Sequence, residues 1–396
     1  MRWMMLLVLF LVRLAMGYQF QSVASTSSQL VDAFGLSYAE VGTLIGFFLL
    51  PGVFIAIPSG AITRAVADKN LLMIGALAMA VGALVMGSAT SASELYAGRL
   101  ITGVGGTIFN VILTKIVTEW FIEKEIVLAL SVMLTAWPVG IALGLLTQGQ
   151  VAGVYGWGWV MHLTAVVALA ALFLTAVFYR APPSSSTSSN EPLRFGLPSR
   201  ELVHMSIVGL GWTLFNAAFI LVVSFAPDAL VSAGYNHGAA HSVTSLFMWV
   251  TVISVPLGGR VLESIGYITP AIAVSLLTAS AAILAISFGI VPVAMFILLG
   301  IFAGIPAGAL MSLSAEAVRS ENRGPGLGVF YTWYYAGMTA APVIAGWLRD
   351  WTGSTKAPVL FSALLLASAV LCVWLLRLLQ ANWPIRNLAS RVGSAG

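Results

Sequence analysis

Twelve apolar stretches, each long enough to cross a bilayer, occupy most of this chain and leave room for little but short connections. They run over 3–23, 39–62, 71–89, 95–117, 126–147 and 159–178, then 202–225, 239–257, 269–289, 293–313, 326–348 and 358–376. A hydrocarbon core of about 30 Å calls for about 20 apolar residues of helix. Inside that core the backbone can bond only to itself, so each stretch is expected to be a helix. Composition agrees, with 59% hydrophobic and 8% charged residues and a mean hydropathy of +0.98, where a soluble domain carries about 25% charge. The expected fold class is an all-α membrane protein of twelve transmembrane helices in two pseudo-symmetric six-helix bundles.

The polar segment 180–200, with its run Pro-Pro-Ser-Ser-Ser-Thr-Ser-Ser, cannot bury a core and reads as a connector. The expected organisation is an N-terminal six-helix bundle at 1–179, a cytoplasmic linker at 180–200, a C-terminal six-helix bundle at 201–379 and a cytoplasmic tail at 380–396. Lys and Arg concentrate in cytoplasmic loops, and they separate cleanly here. With the N-terminus inside, fourteen of the 18 fall on the cytoplasmic side and two, Arg349 and Lys356, outside. The pI near 9.3 therefore follows from topology, and no clustered basic patch suggests nucleic acid. The one cysteine, Cys372, excludes an internal disulfide framework. Short loops and this composition suit a bacterial inner membrane with both termini cytoplasmic.

The second six stretches repeat the punctuation of the first six. Gly60 to Gly259 is 199 positions, Glu119 to Glu316 is 197 and Gly103 to Gly304 is 201. Tight turns carry Gly60, Arg64 and Ala67, then Gly259, Glu263 and Gly266, with Gly346, Asp350 and Gly353 on the opposite membrane face. Duplicated six-span halves imply a two-fold axis along the membrane normal, an architecture of secondary transporters.

At these residues the chain resembles the major facilitator superfamily. Gly259 with Glu263, then Arg99, Gly103, Gly105 and Gly106, then Glu119, Trp120 and Phe121, and Gly156, Trp157 and Trp159 are similar to that family's motifs. The resemblance implies two bundles around a central cavity that rock so that one site faces each side in turn. In the first loop the charge order is reversed, with Arg64 at the acidic position and Asp68 at a basic one. The antiporter motif is reduced to Pro138, Gly140 and Gly144, which weakens a drug/proton antiport reading. Leu11, Val12 and Arg13, with the segment 119–129, look most like cyanate, nitrate and organic-anion porters.

Charges inside the spans carry the functional reading, because an arginine near the bilayer centre costs about 2.5–3.5 kcal/mol on insertion scales and tends to face a cavity. Arg13 lies ten positions from either end of its span, on one face with Phe10, Gly17, Phe20 and Gln21. It is either a substrate contact or an arginine satisfied by helix carbonyls or a neighbouring Asn. Arg99 shares a face with Gly103, Gly106 and Asn110 but lies only about 7 Å along the helix from Glu94, so it could snorkel outward. Gating or coupling and structural pairing are the two readings of Arg99. Glu40, Glu94, Glu201 and Glu316 sit at span ends and no acid lies at mid-depth, which leaves a net positive interior suited to an anion. It also removes the usual buried carboxylate of a proton relay, leaving uniport, exchange, or symport in which the proton travels with the anion or through a histidine.

Trp212 and Asn216 in the seventh span and Trp137 in the fifth are binding or packing candidates. Tyr331 and Tyr335, clustered with Trp333 and Tyr334 in the eleventh, either stack on a planar ligand or form an interfacial belt. Gly42 with Gly46, Gly140 with Gly144, and Gly300, Gly304 and Gly308 read as packing surfaces. Arg64, Asp68, Glu119, Arg260, Glu263, Glu316 and Arg319 are candidates for ion pairs that latch the outward-facing state, or solvated helix ends. No phosphate loop, zinc-protease helix or nucleophile elbow is present. His237 and His241 have metal-like spacing but no nearby third ligand. The expectation is a monomeric, non-enzymatic porter for a small anion, inorganic or organic, with no cofactor. The alternatives are an exporter of amphipathic compounds and a non-transporting receptor.

Overall fold

Each apolar stretch closes its own hydrogen bonds as helix, and most helices overrun the apolar run that seeded them. The computed structural model describes residues 1–55, 66–121, 125–182 and 196–385. In the first half these are α1 (Arg2–Ser25), α2 (Ser27–Phe34), α3 (Tyr38–Phe47), α4 (Leu50–Ile55), α5 (Asp68–Gly87), α6 (Ala92–Trp120), α7 (Ile126–Tyr155) and α8 (Trp157–Phe178). The second half holds α9 (Ser199–Ser232), α10 (His237–Ile265), α11 (Ile268–Ser287), α12 (Pro292–Glu316), α13 (Arg323–Thr352) and α14 (Ala357–Asn382). Among the described residues, eleven segments are long and apolar enough to cross a membrane, α3 and α4 counting as one. The helix at the expected eleventh crossing, α13, is 30 residues long but diluted by Gly, Thr, Trp and Tyr, and it falls short on composition.

The ends of the helices follow local chemistry. Ser37 with Glu40 and Ser91 with Glu94 form capping boxes at the starts of α3 and α6. The second crossing is broken between α3 and α4 because Pro51 has no N–H to offer Phe47 and its ring crowds that carbonyl. Pro227 and Pro342, by contrast, are carried inside α9 and α13. A sequence boundary drawn at Phe225 therefore ends α9 too early, and Asp228 lies within the helix.

Two bundles with the same internal plan result. In the first half α1 packs on α7 and α8, and α5 lies against α6 and α8; in the second, α9 packs on α13 and α14, and α11 lies against α12 and α14. The halves meet along two seams, α3 and α4 against α13, and α7 against α10. Exchanging the halves turns one seam into the other, as a two-fold axis requires. Glycine brings the backbones together, since a side chain on Gly105 would strike the Gly75 carbonyl of α5. On α12, Gly300 and Gly304 are pressed against Val250 and Ser254, whereas Gly308 faces open space and does not extend that contact.

Replacing Gly105 with Val forces α5 and α6 apart and is expected to cost about 1–3 kcal/mol. The thermal unfolding midpoint in detergent should fall accordingly, while Gly308→Val leaves it unchanged.

Candidate functional site

Two guanidinium groups sit deep in the first bundle, and their surroundings differ completely. Arg99 is 0% exposed. Its Nε donates to the Leu44 carbonyl (2.9 Å), Nη1 to Gln19 (3.3 Å) and Nη2 to Phe20 (2.8 Å). The guanidinium carbon also lies 4.8 Å from the Phe48 ring centroid and 5.7 Å from that of Phe20. Leu44 precedes the break at Pro51 by two helical turns, and Gly103 of α6 is pressed on the carbonyls of Phe47 and Phe48. Arg99 thus ties α1, α3 and α6 together. It does not snorkel outward, because carbonyls from two neighbouring helices hold it in place.

Arg13 is 8% exposed and its Nε has no hydrogen-bond partner. Among the described residues no carboxylate pairs with it. The groups it senses electrostatically are the hydroxyls of Tyr334, Tyr331 and Tyr335, all on α13 of the other half. Those three rings lie 5.1–6.3 Å apart centre to centre. Tyr335 is buried and its hydroxyl accepts a 2.8 Å bond from Asn110 Nδ2, a contact between the halves. An interfacial belt does not describe these tyrosines. Trp333, 41% exposed on the same helix, points away from the core.

The remaining candidates divide. Trp212 is half-buried beside Phe215 and Phe330, 5.6 and 6.1 Å away, and Asn216 donates to the Trp212 carbonyl (2.8 Å). Trp137 is half-buried, 5.2 Å from Phe20. Phe20 itself is buried between Arg99, Phe48 and Trp137, so it is a wall of the arginine knot and not an exposed ligand surface. Gln21 is also buried, donating to the Val223 carbonyl across the halves (3.3 Å), nearer the end of α1 than Arg13 is. A shared helical face in sequence does not put Phe20 and Gln21 in the same space as Arg13, because α7 lies against that face through Gly17 and Gly140.

Several ties between the halves lie on the membrane face opposite the termini. Within the second half Arg349 Nη1 bonds Asp228 Oδ2 (2.5 Å), and across to the first half its guanidinium carbon stands 3.3 Å from the Tyr38 ring centroid. Ser27 approaches the same aspartate oxygen at 3.5 Å. Asp350 accepts from the backbone N–H groups of Tyr38 (3.0 Å) and Ala39 (2.8 Å), capping α3 from the other bundle. Side chains on Gly42, Gly46 and Gly346 would collide with the facing backbone along this seam. Sequence reasoning set Arg349 among the outer charges and passed over Asp228, since an Asp after a Pro reads as a loop. The signal available was an acid and an arginine on crossings that the repeat makes neighbours.

On the termini face the ion pairs among the described residues stay within one half. Lys115 bridges Asp68 (2.7 Å) and Glu119 (3.7 Å). Arg377 binds Glu316, and Arg319 binds Glu201 (2.7 Å), a bond that raises the Arg319 pKa above its ordinary value. Arg260 is exposed at the end of α10. Arg64 and the side chain of Glu263 lie outside the described residues. Asp68, Glu119, Glu316 and Arg319 therefore brace their own bundles in this state and do not join the two. No group of His, Cys, Asp and Glu among the described residues could hold a metal.

The family described as Major Facilitator Superfamily matches residues 6–238 and again 205–391. The chain is 24% identical over 172 residues to Azole resistance protein 1 of Saccharomyces cerevisiae, covering 43% of this chain and 28% of that protein. It is 22% identical over 184 residues to the 4-hydroxybenzoate transporter PcaK of Pseudomonas aeruginosa, covering 46% and 41%. The chain spans less than half the length of either relative. Its fold is similar to the inward-open xylose transporter XylE from E. coli, with a TM-score of 0.77 and 13% identity over 97% of this chain and 100% of that one.

Arg99→Ala removes three charge-assisted bonds, each worth about 1.5–3 kcal/mol, and is expected to lower the unfolding midpoint by many degrees. Arg13→Ala, which removes none, leaves that midpoint unchanged or higher. Asp350→Ala removes a cap worth about 1 kcal/mol, so the population open on the face opposite the termini should rise about fivefold. Spin labels on Ala33→Cys and Ala233→Cys in a Cys372→Ser background, both at exposed positions on that face, report the change as a longer distance.

Proposed function

The chain belongs to the major facilitator superfamily, and from that premise we propose that this multi-pass membrane protein moves a small anion, inorganic or organic, by alternating access. The single observation that carries the reading is Arg13, a buried guanidinium at the middle of α1 with no carboxylate partner. An unpaired charge in that position is costly unless a ligand of opposite sign completes it. The aromatic and amide groups on α6, α7, α9 and α13 supply the rest of the site: Trp137, Trp212, Asn216, Asn110, Tyr331 and Tyr335. The relative named for 4-hydroxybenzoate, an anion at neutral pH, supports the same reading.

Rocking about the two seams connects the site to each side in turn. Cross-half hydrogen bonds among the described residues run from the face opposite the termini to Asn110–Tyr335 at mid-depth, and none lies beyond it toward the termini. This supports a state open toward the termini, with Arg349, Asp228, Tyr38 and Asp350 closing the other face. Arg99 is the rigid element that makes α1, α3 and α6 move as one. With both termini cytoplasmic in a bacterial inner membrane, this state faces inward and a monomer suffices for the cycle. A second reading, export of amphipathic compounds along the aromatic wall, draws on the relative named for azole resistance.

Counterflow in proteoliposomes separates the two. Anions should exchange and lipophilic cations should not. Arg13→Ala should lower anion exchange by about thirtyfold or more, Arg13→Lys should retain a part of it, and Arg13→Glu should abolish it. Unchanged exchange in all three variants would remove the anion assignment.

A further inference from the structure

The number and kind of groups that remain free around Arg13 limit the ligand more narrowly than its sign. Arg99, the other buried cation of the first bundle without an acid partner, is fully enclosed and bonded to three carbonyls, so it cannot touch a ligand. Arg349 is paired with Asp228 far from mid-depth. Among the described residues one deep guanidinium is therefore available. A dianion would have to leave its second charge desolvated with no cation in contact.

The groups close enough for their charge to act on Arg13 are phenolic. Tyr331 and Tyr334 sense its charge, and no hydrogen bond within the chain engages either hydroxyl among the described residues. Tyr335 accepts from Asn110 and keeps its own O–H to donate. The surfaces behind these donors are rings. Trp212, Phe330 and Tyr331 are linked at 6.1 and 5.3 Å in the second half, and Trp137 is backed by Phe20 and Phe48 at 5.2 and 6.4 Å in the first. A small inorganic oxyanion would use the guanidinium and leave these rings without a function.

We propose that the substrate is a planar aromatic monocarboxylate, its carboxylate held by Arg13 with the hydroxyls of Tyr331 and Tyr334 and its ring lying between Trp137 and the aromatic wall of α9 and α13. Guanidinium and phenol donate to the carboxylate oxygens while the ring replaces water on apolar faces. This rests on the reading of the protein as an anion porter.

The test uses the full-length protein in proteoliposomes with radiolabelled benzoate, nitrate, acetate and succinate as probes, in counterflow. Benzoate is expected to exchange, acetate to compete about tenfold more weakly, and succinate not to exchange. Tyr331→Phe with Tyr334→Phe keeps both rings and should weaken benzoate by about tenfold, with the unfolding midpoint unchanged as proof of folding. Trp137→Leu should weaken benzoate and leave acetate as it was. Exchange of nitrate or acetate without benzoate, or of succinate as well as benzoate, would sink the aromatic monocarboxylate and leave the anion reading intact. Benzoate exchange indifferent to loss of the hydroxyls would sink the cradle. Failure of every anion alongside exchange of a lipophilic cation would remove the anion reading itself.

Discussion

A guanidinium in hydrocarbon has to be met by something, and this protein holds one that is met and one that is not. Arg99 spends its donors on main-chain oxygens of α1 and α3, so its charge is converted into bundle geometry. The nearby break at Pro51 and the close approach of Gly103 let α6 carry the side chain to those oxygens. Arg13 lies two helical turns away along α1, near phenol hydroxyls that lie on the opposite bundle. Under the proposed function, a ligand that answers Arg13 touches both halves.

The same separation of roles appears between the two membrane faces. Opposite the termini, Arg349 and Asp350 reach Tyr38 and the start of α3 across the bundles through a ring face and a helix N-terminus, while the Arg349–Asp228 ion pair holds α9 to α13 within the second half. Each is modest alone, and contacts of that strength can be exchanged during a cycle. On the termini face Lys115, Arg319 and Arg377 bind acids of their own bundle. These pairs brace each bundle on its own, apart from the seams α3–α13 and α7–α10.

Much of this was legible before any coordinates. Hydrophobic run length predicts the crossings because a bilayer core leaves the backbone no partner but itself, and the constant spacing of glycines and acids predicts the doubling. Arg13 and Arg99 stand out because charges are scarce in such runs. The boundaries were less legible: α9 continues through Pro227 to Ser232, since helix persists past the lipid where water can take up its free carbonyls. That difference concealed Asp228 and, with it, the partner of Arg349.

The amino-acid order alone determined the membrane class, the two repeated halves and the presence of two deep cations, because these depend on local hydrophobicity and on counting along the chain. Which cation is spent and which is free was decided only in three dimensions. Helical periodicity puts Phe20 and Gln21 on the face of Arg13, yet the approach of α7 through Gly17 and Gly140 buries them elsewhere. The carbonyls that satisfy Arg99 belong to residues 55, 80 and 79 positions away in the chain. Main-chain oxygens carry no signature in a sequence, so only their placement could separate a structural arginine from one left for a ligand.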